Sequence, residues 1–169
     1  MIKLSRMESG IIQIRKKPQD LMETIRKAVA GIVVEASKKN QQLSVDGPTQ
    51  LTVMHDAKWT TEAIGNVLEN AVKYTDEDGQ IRVTVRRQEI FTVVEVTDTG
   101  RGIAAERQAQ IFGRFYREPE VHERPGIGIG LYLTRKIMEA QDGYVDVVSK
   151  PGVGATFRLH LQNANVTEM

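Results

Sequence analysis

The sequence predicts an α/β fold, a two-layer sandwich in which helices cover one face of a mixed, mostly antiparallel sheet. Apolar residues recur at helical spacing in separate stretches, and between these lie short runs rich in β-branched residues that alternate with polar ones. Length agrees, because 169 residues that are 40% hydrophobic and 27% charged suit one domain with a real core and leave little room for a second.

Residues 11–14 read as a short strand. From Asp20 to about Lys39, the residues Leu21, Ile25, Ala28, Val29, Ile32 and Val33 form the apolar stripe of an amphipathic helix, with Pro18 just upstream. Short strands at 43–45 and 51–54 flank the turn Asp46-Gly47-Pro48. A second helix spans 58–74 and turns Ile64, Val67, Leu68, Ala71 and Val72 inward. The period-two runs 81–85 and 91–96 are close enough to form a hairpin. The connection of about 25 residues from Gly102 to Gly126 holds one short helix, and long loops in compact domains are functional lids or disordered segments. A helix over 127–140, strands over 144–148 and 156–161, and turns at Asp142-Gly143 and Gly152 to Gly154 complete the core. Residues 163–169 read as a frayed tail.

Composition removes several classes of function. Lys plus Arg number 23 against 22 Asp plus Glu, so no long-range field favours nucleic acid or an anionic membrane surface. There is no cysteine for a disulfide or thiolate metal site, and three scattered histidines do not make a zinc site. No apolar run approaches the roughly 18 residues of a membrane span, and the first residues lack a secretory pattern. Residues 4–10 read as the last turn of a helix closed by Gly10, with nothing before it to start that helix, so a piece of a longer protein is expected.

Four segments carry chemistry. In Asn66-Val67-Leu68-Glu69-Asn70-Ala71-Val72-Lys73-Tyr74-Thr75, Asn66 and Asn70 share a helix face and Lys73 lies a turn further on. Amide oxygens are hard ligands suited to magnesium, and an ammonium suits phosphate; standing alone, the same pattern also reads as a solvated helix face. In Asp98-Thr99-Gly100-Arg101-Gly102-Ile103, an ionised carboxylate accepts the adenine amino proton but opposes the guanine carbonyl, which selects ATP over GTP. Gly100 and Gly102 let backbone approach the base, although the segment is also an ordinary strand-to-loop turn. Gly126-Ile127-Gly128-Ile129-Gly130-Leu131 precedes an apolar helical run, where bare amides at a helix N-terminus cradle phosphate. Gly152-Val153-Gly154-Ala155-Thr156-Phe157 reads first as a hairpin turn.

In this order and at these separations the segments resemble the ATP-binding catalytic domain of two-component sensor histidine kinases, in the superfamily shared with gyrase, heat-shock chaperone ATPases and mismatch-repair ATPases. The resemblance runs from about Leu4 to Leu161. It makes the four segments' first the N box, Asp98 to Ile103 the G1 box, Ile111-Phe112-Gly113-Arg114-Phe115-Tyr116-Arg117 the F box, and Gly126 to Leu131 the G2 box. It implies a Bergerat-type sandwich over residues 11–162 with an ATP lid at about 104–125, and ATP with Mg2+ as what is bound. Asn70 is then the principal magnesium ligand with Asn66 nearby, Lys73 lies on phosphate, Tyr74 packs beside adenine and Asp98 receives its amino group. Arg117 and Arg114 reach the phosphates from the lid, and Gly126, Gly128 and Gly130 line them. Gly100, Gly102, Ile103, Ile127, Ile129, Leu131 and Thr156 complete the nucleotide set, and Asn66, Asn70, Lys73 and Arg117 form the catalytic set. Phe112 and Phe115 are expected to anchor the lid.

One position divides the superfamily. Its hydrolysing members carry glutamate four residues before the magnesium-binding asparagine, and here Asn66 stands there, which is no base at neutral pH. Glu69, next to Asn70, points elsewhere. Transfer of the γ-phosphoryl to a protein side chain is therefore favoured over hydrolysis. The resemblance puts the acceptor histidine in an upstream helical dimerisation domain, whose end is matched by residues 1–10 and the last turn of its second helix by Leu4 to Gly10. His55-Asp56, His122-Glu123-Arg124-Pro125 and His160 are read as structural. Implied partners are that dimerisation domain and a response-regulator receiver domain, within a membrane-anchored homodimer whose catalytic domain is cytoplasmic; the isolated piece is expected to be monomeric. Rival readings are an ATPase of the same superfamily, a serine-directed anti-sigma kinase, and a nucleotide-binding scaffold without catalysis.

Overall fold

The computed structural model describes residues 13–113 and 130–163. Residues 1–12, most of the lid, residues 164–169, and the sites expected at Arg114, Arg117, Gly126, Ile127, Gly128 and Ile129 lie outside them, as do Phe115 and His122.

Among the described residues the chain runs β1 (Lys17–Asp20), α1 (Leu21–Ala30), α2 (Val33–Lys38), β2 (Gln42–Asp46), β3 (Thr52–His55), α3 (Ala57–Tyr74), β4 (Gln80–Arg87), β5 (Phe91–Asp98), α4 (Ala105–Gln108), α5 (Gly130–Ala140), β6 (Tyr144–Lys150) and β7 (Gly154–Gln162). Five strands form the main sheet in the order β2-β4-β5-β7-β6, parallel between β2 and β4 and antiparallel elsewhere. β1 and β3 form a separate antiparallel pair. The mixed, mostly antiparallel sandwich predicted from sequence is thus the fold observed.

One face of the main sheet is sealed by helices. Ile64, Val67, Leu68 and Ala71 of α3 and Ile137 and Met138 of α5 are wholly buried together with Ile81, Val83, Val94 and Val96 of the sheet. Each such large side chain contributes about 1.5–3 kcal/mol by leaving water. Phe112 is buried and meets Phe157 edge-on at 6.0 Å, which ties the start of the segment expected as a lid to the core. No helix among the described residues is long and apolar enough to cross a membrane.

Two local expectations change. The strand expected at 11–14 is not seen at Gln13 and Ile14, because the backbone amide of Arg15 is drawn to the Asp56 carboxylate at 2.8 Å. Pairing begins at Lys17 instead, in an edge strand that accommodates Pro18. The helix expected from Asp20 to Lys39 is two helices, broken at Gly31 and Ile32. Glycine is a poor helix former, and the buried stripe continues through Ala28, Ile32 and Ala36 while Val33 and Val34 turn outward at 45% and 63% exposure.

His55, at the end of β3, has both ring nitrogens engaged within the fold. The Val53 carbonyl, 2.8 Å away, can only accept, so Nδ1 carries the proton and Nε2 accepts from the Thr24 hydroxyl at 2.8 Å. Burial holds the pKa of His55 below its ordinary 6.5. The unfolded chain therefore takes up a proton below pH 6.5 that the folded ring refuses, and the stability His55 contributes, complete above that pH, is lost as pH falls. Unfolding free energies from urea titrations are expected to decline between pH 7 and 5 by up to about 1.4 kcal/mol per pH unit more in the parent than in His55→Gln. Parallel pH profiles for the two proteins would refute this assignment.

Candidate functional site

Helix α3 is held at both ends by side chains from distant parts of the chain. Asp56 caps its start, accepting the Trp59 amide at 3.1 Å, while the Asp56 amide donates to Gln141 at 2.8 Å. At the other end Gln41 Nε2 donates to the carbonyls of Val72 at 3.1 Å and Thr75 at 2.7 Å, and Lys39 Nζ donates to Val72 at 2.8 Å. These are carbonyls that a helix end leaves without intrahelical partners. A cation there also suits the helix dipole.

Asn66, Asn70 and Lys73 project from the helix so fixed, and all three are half-buried. Asn66 Nδ2 is buried and has no hydrogen-bond partner among the described residues, so that donor is not consumed by the fold. Gly130, the first residue of α5, lies beside it: a Cβ there would stand 3.8 Å from Asn66 Cβ. The structure therefore brings the N box against the end of the G2 box. The asparagine amides, on one face with a lysine following, fit a magnesium site of oxygen ligands. Leu131, next in α5, is half-buried against the core.

Asp98 ends the central strand β5, between Ile81 of β4 and Ala155 of β7. It is buried, and its Oδ1 accepts the amides of Gly100 at 2.9 Å and Ala155 at 3.2 Å. Oδ2 receives no hydrogen bond among the described residues. Burial raises the carboxyl pKa above its ordinary value, opposed by the two amide bonds.

The loop after Asp98 lies flat between its neighbours. A Cβ on Gly100 would stand 2.5 Å from the Tyr74 carbonyl oxygen, which also accepts the Arg101 amide at 3.4 Å. Gly102 has φ +72 and faces the Lys150 carbonyl so closely that a Cβ would collide with it. Tyr74 is half-buried, its ring flanked by Lys73 Nζ at 5.7 Å and the Arg101 guanidinium at 5.5 Å from the centroid. Ile103 is fixed through its amide, which donates to Ser149 Oγ at 2.7 Å.

Thr156 is not brought to this cluster. Side chains alternate along a strand, and in the register Asp98 lies opposite Ala155 while Thr156 lies opposite Thr97 on the other face. Its hydroxyl is 3.0 Å from that of Thr97. The fourth segment meets the site instead through the Ala155 amide, a donor that no side-chain pattern in the sequence could reveal. Gln41, Lys39 and Ser149 were also missed, since each acts on main-chain atoms far away in sequence.

The family model described as histidine kinase-, DNA gyrase B-, and HSP90-like ATPase matches residues 55–165. The chain is similar to the sensor-like histidine kinase SenX3 of Mycobacterium tuberculosis, 31% identical over 163 residues that are 95% of this chain and 40% of that protein. It is similar to the adaptive-response sensory kinase SasA of Thermosynechococcus vestitus, 34% identical over 89% of this chain and 40% of that protein. The chain thus spans 40% of the length of these curated relatives. Among solved structures, full-length ShkA in complex with AMPPNP superposes with a TM-score of 0.84 at 25% identity, over 96% of this chain and 34% of that one. The mycobacterial sensor histidine kinase MprB shares the fold, with a TM-score of 0.75 at 24% identity over 88% of this chain and 98% of that one.

Proposed function

We propose, from the premise that this chain belongs to the histidine kinase-, DNA gyrase B- and HSP90-like ATPase family and is an ATP-binding catalytic domain of the sensor histidine kinase kind, that it presents the γ-phosphoryl of ATP to a histidine on a separate helical domain. The observation that carries this reading is the Asp98 carboxylate, buried, braced through Oδ1 alone and keeping Oδ2 as an acceptor for the adenine amino group.

In this reading Tyr74 lies beside the base, and Gly100 and Gly102 keep the surrounding backbone low enough for it to enter. Asn70, with Asn66, would hold magnesium, and Lys73 would place a point charge on phosphate. Magnesium, when bound, neutralises charge on the phosphate oxygens. Arg114 and Arg117 are proposed to approach from the lid. Phosphoryl transfer needs mostly positioning and charge, and this chain supplies both without a general base. Asn66 stands where a water-orienting glutamate would serve hydrolysis, which supports transfer. The proposed partners are an upstream dimerisation domain bearing the acceptor and a receiver domain, in a membrane-anchored homodimer with this domain on the cytoplasmic side.

The chain alone, given magnesium and ATP labelled at the γ-phosphorus, is expected to bind nucleotide and acquire no stable label. Label is expected on the histidine of the matching helical domain once that domain is added. Stable label on His55 or His122 would overturn the acceptor assignment. Steady phosphate release with no transfer would favour the ATPase reading, and binding without either would favour a scaffold.

A further inference from the structure

The geometry points to Ser149 as a positioning residue for adenine recognition, a single hydroxyl that rivets the outgoing end of the loop after Asp98 to the start of β7. This rests on the ATP reading above. Ile81, Asp98, Ala155 and Ser149 fall in one register row across β4, β5, β7 and β6, and therefore on one face of the sheet. Ser149 Oγ accepts the Ile103 amide at 2.7 Å, which fixes the outgoing end of the loop. The same oxygen donates to the Gly154 carbonyl at 2.9 Å, which fixes the peptide leading into Ala155. The Ala155 amide then braces Asp98 Oδ1 at 3.2 Å.

A hydroxyl is the group for this junction, because it donates and accepts at one atom. Gln108 closes the junction from outside, its Nε2 donating to the Ile103 carbonyl at 3.0 Å and the Ser149 carbonyl at 3.2 Å. Both main-chain groups of Ile103 are thereby held by side chains. The Gly152 amide adds a bond to the Arg101 carbonyl at 2.7 Å. Without the Ser149 hydroxyl, the loop is held to the β6–β7 hairpin only through Gln108, the Gly152 amide and the bonds to Asp98 itself, and the direction of the Asp98 carboxylate is less tightly set.

The test measures binding of ATP and of purine riboside triphosphate, which lacks the 6-amino group, to the parent chain, Ser149→Ala, Ser149→Thr and Gln108→Ala. Ser149→Ala is expected to weaken ATP about tenfold, the cost of one to two hydrogen bonds, while affinity for the purine analogue stays unchanged. Ser149→Thr keeps the hydroxyl and restores ATP binding. Gln108→Ala is expected to weaken ATP about threefold, and it decides the matter if Ser149→Ala does not fold. Equal loss for both nucleotides would reduce Ser149 to a general structural role and overturn the inference. So would unchanged ATP affinity in a folded Ser149→Ala. A parent chain that fails to bind ATP would overturn the ATP reading itself, and this inference with it.

Discussion

Asp98→Asn is expected to weaken ATP binding about 100-fold while leaving the ligand-free chain no less stable, the loss being that of a charge-assisted hydrogen bond and its replacement by an unfavourable contact. Asparagine keeps one carbonyl oxygen, which can go on accepting the Gly100 and Ala155 amides that now hold Oδ1. Its NH2 then falls where Oδ2 was, and a donor faces the adenine amino donor. Guanine offers a carbonyl at that place, so GTP is expected to bind no more weakly than to the parent. Removing a buried charge relieves desolvation, so the melting temperature of the ligand-free variant should equal or exceed the parent's. The raised pKa adds a pH signature. Adenine needs the ionised form, so parent ATP affinity falls as pH drops toward that raised value, and Asp98→Asn loses the dependence. Calorimetry giving the variant the parent's ATP affinity would remove Asp98 from the base contact.

Gly154→Ala is expected to cost about 3 kcal/mol, which for a chain of this size lowers the melting temperature by about 10 °C. Gly154 has φ +145, and a Cβ there would collide with the carbonyl oxygen of Asp98. Relief requires β5 and β7 to part at the very residue pair that sets the carboxylate, so nucleotide binding should fall with stability. Gly152, in the same turn, has φ +79 but open space around its missing Cβ. Gly152→Ala therefore bears only the backbone term, about 1 kcal/mol. Equal melting temperatures for the two variants would show that the collision is absorbed by local movement.

Much of this arrangement was legible from sequence wherever a periodic signal coincided with burial. Ile64, Val67, Leu68 and Ala71 announce α3, and the same residues are wholly buried against the sheet. The end of β5 at Asp98 was legible because the β-branched alternation stops there before two glycines. The break at Gly31 was not, since Ile32 and Val33 suit a continuing helix equally and only tertiary packing chooses Ile32 for the interior. Thr156 was misplaced for a related reason. Ala155 and Thr156 differ by one position, and a one-residue change of register exchanges the faces of a strand. Long-range bonds from Gln41, Lys39 and Ser149 to main-chain atoms leave no periodic trace at all.

The double anchoring of α3 has a thermodynamic meaning for the ligand. Asp56 and Gln141 at one end, and Gln41 and Lys39 at the other, immobilise the helix by bonds formed when the chain folds. Asn66 and Asn70 sit between these anchors, so the entropy of ordering their backbone is surrendered once, during folding, and not again at each arrival of nucleotide. In the proposed reading, affinity is in this way partly stored in the residues that anchor the two ends of the helix.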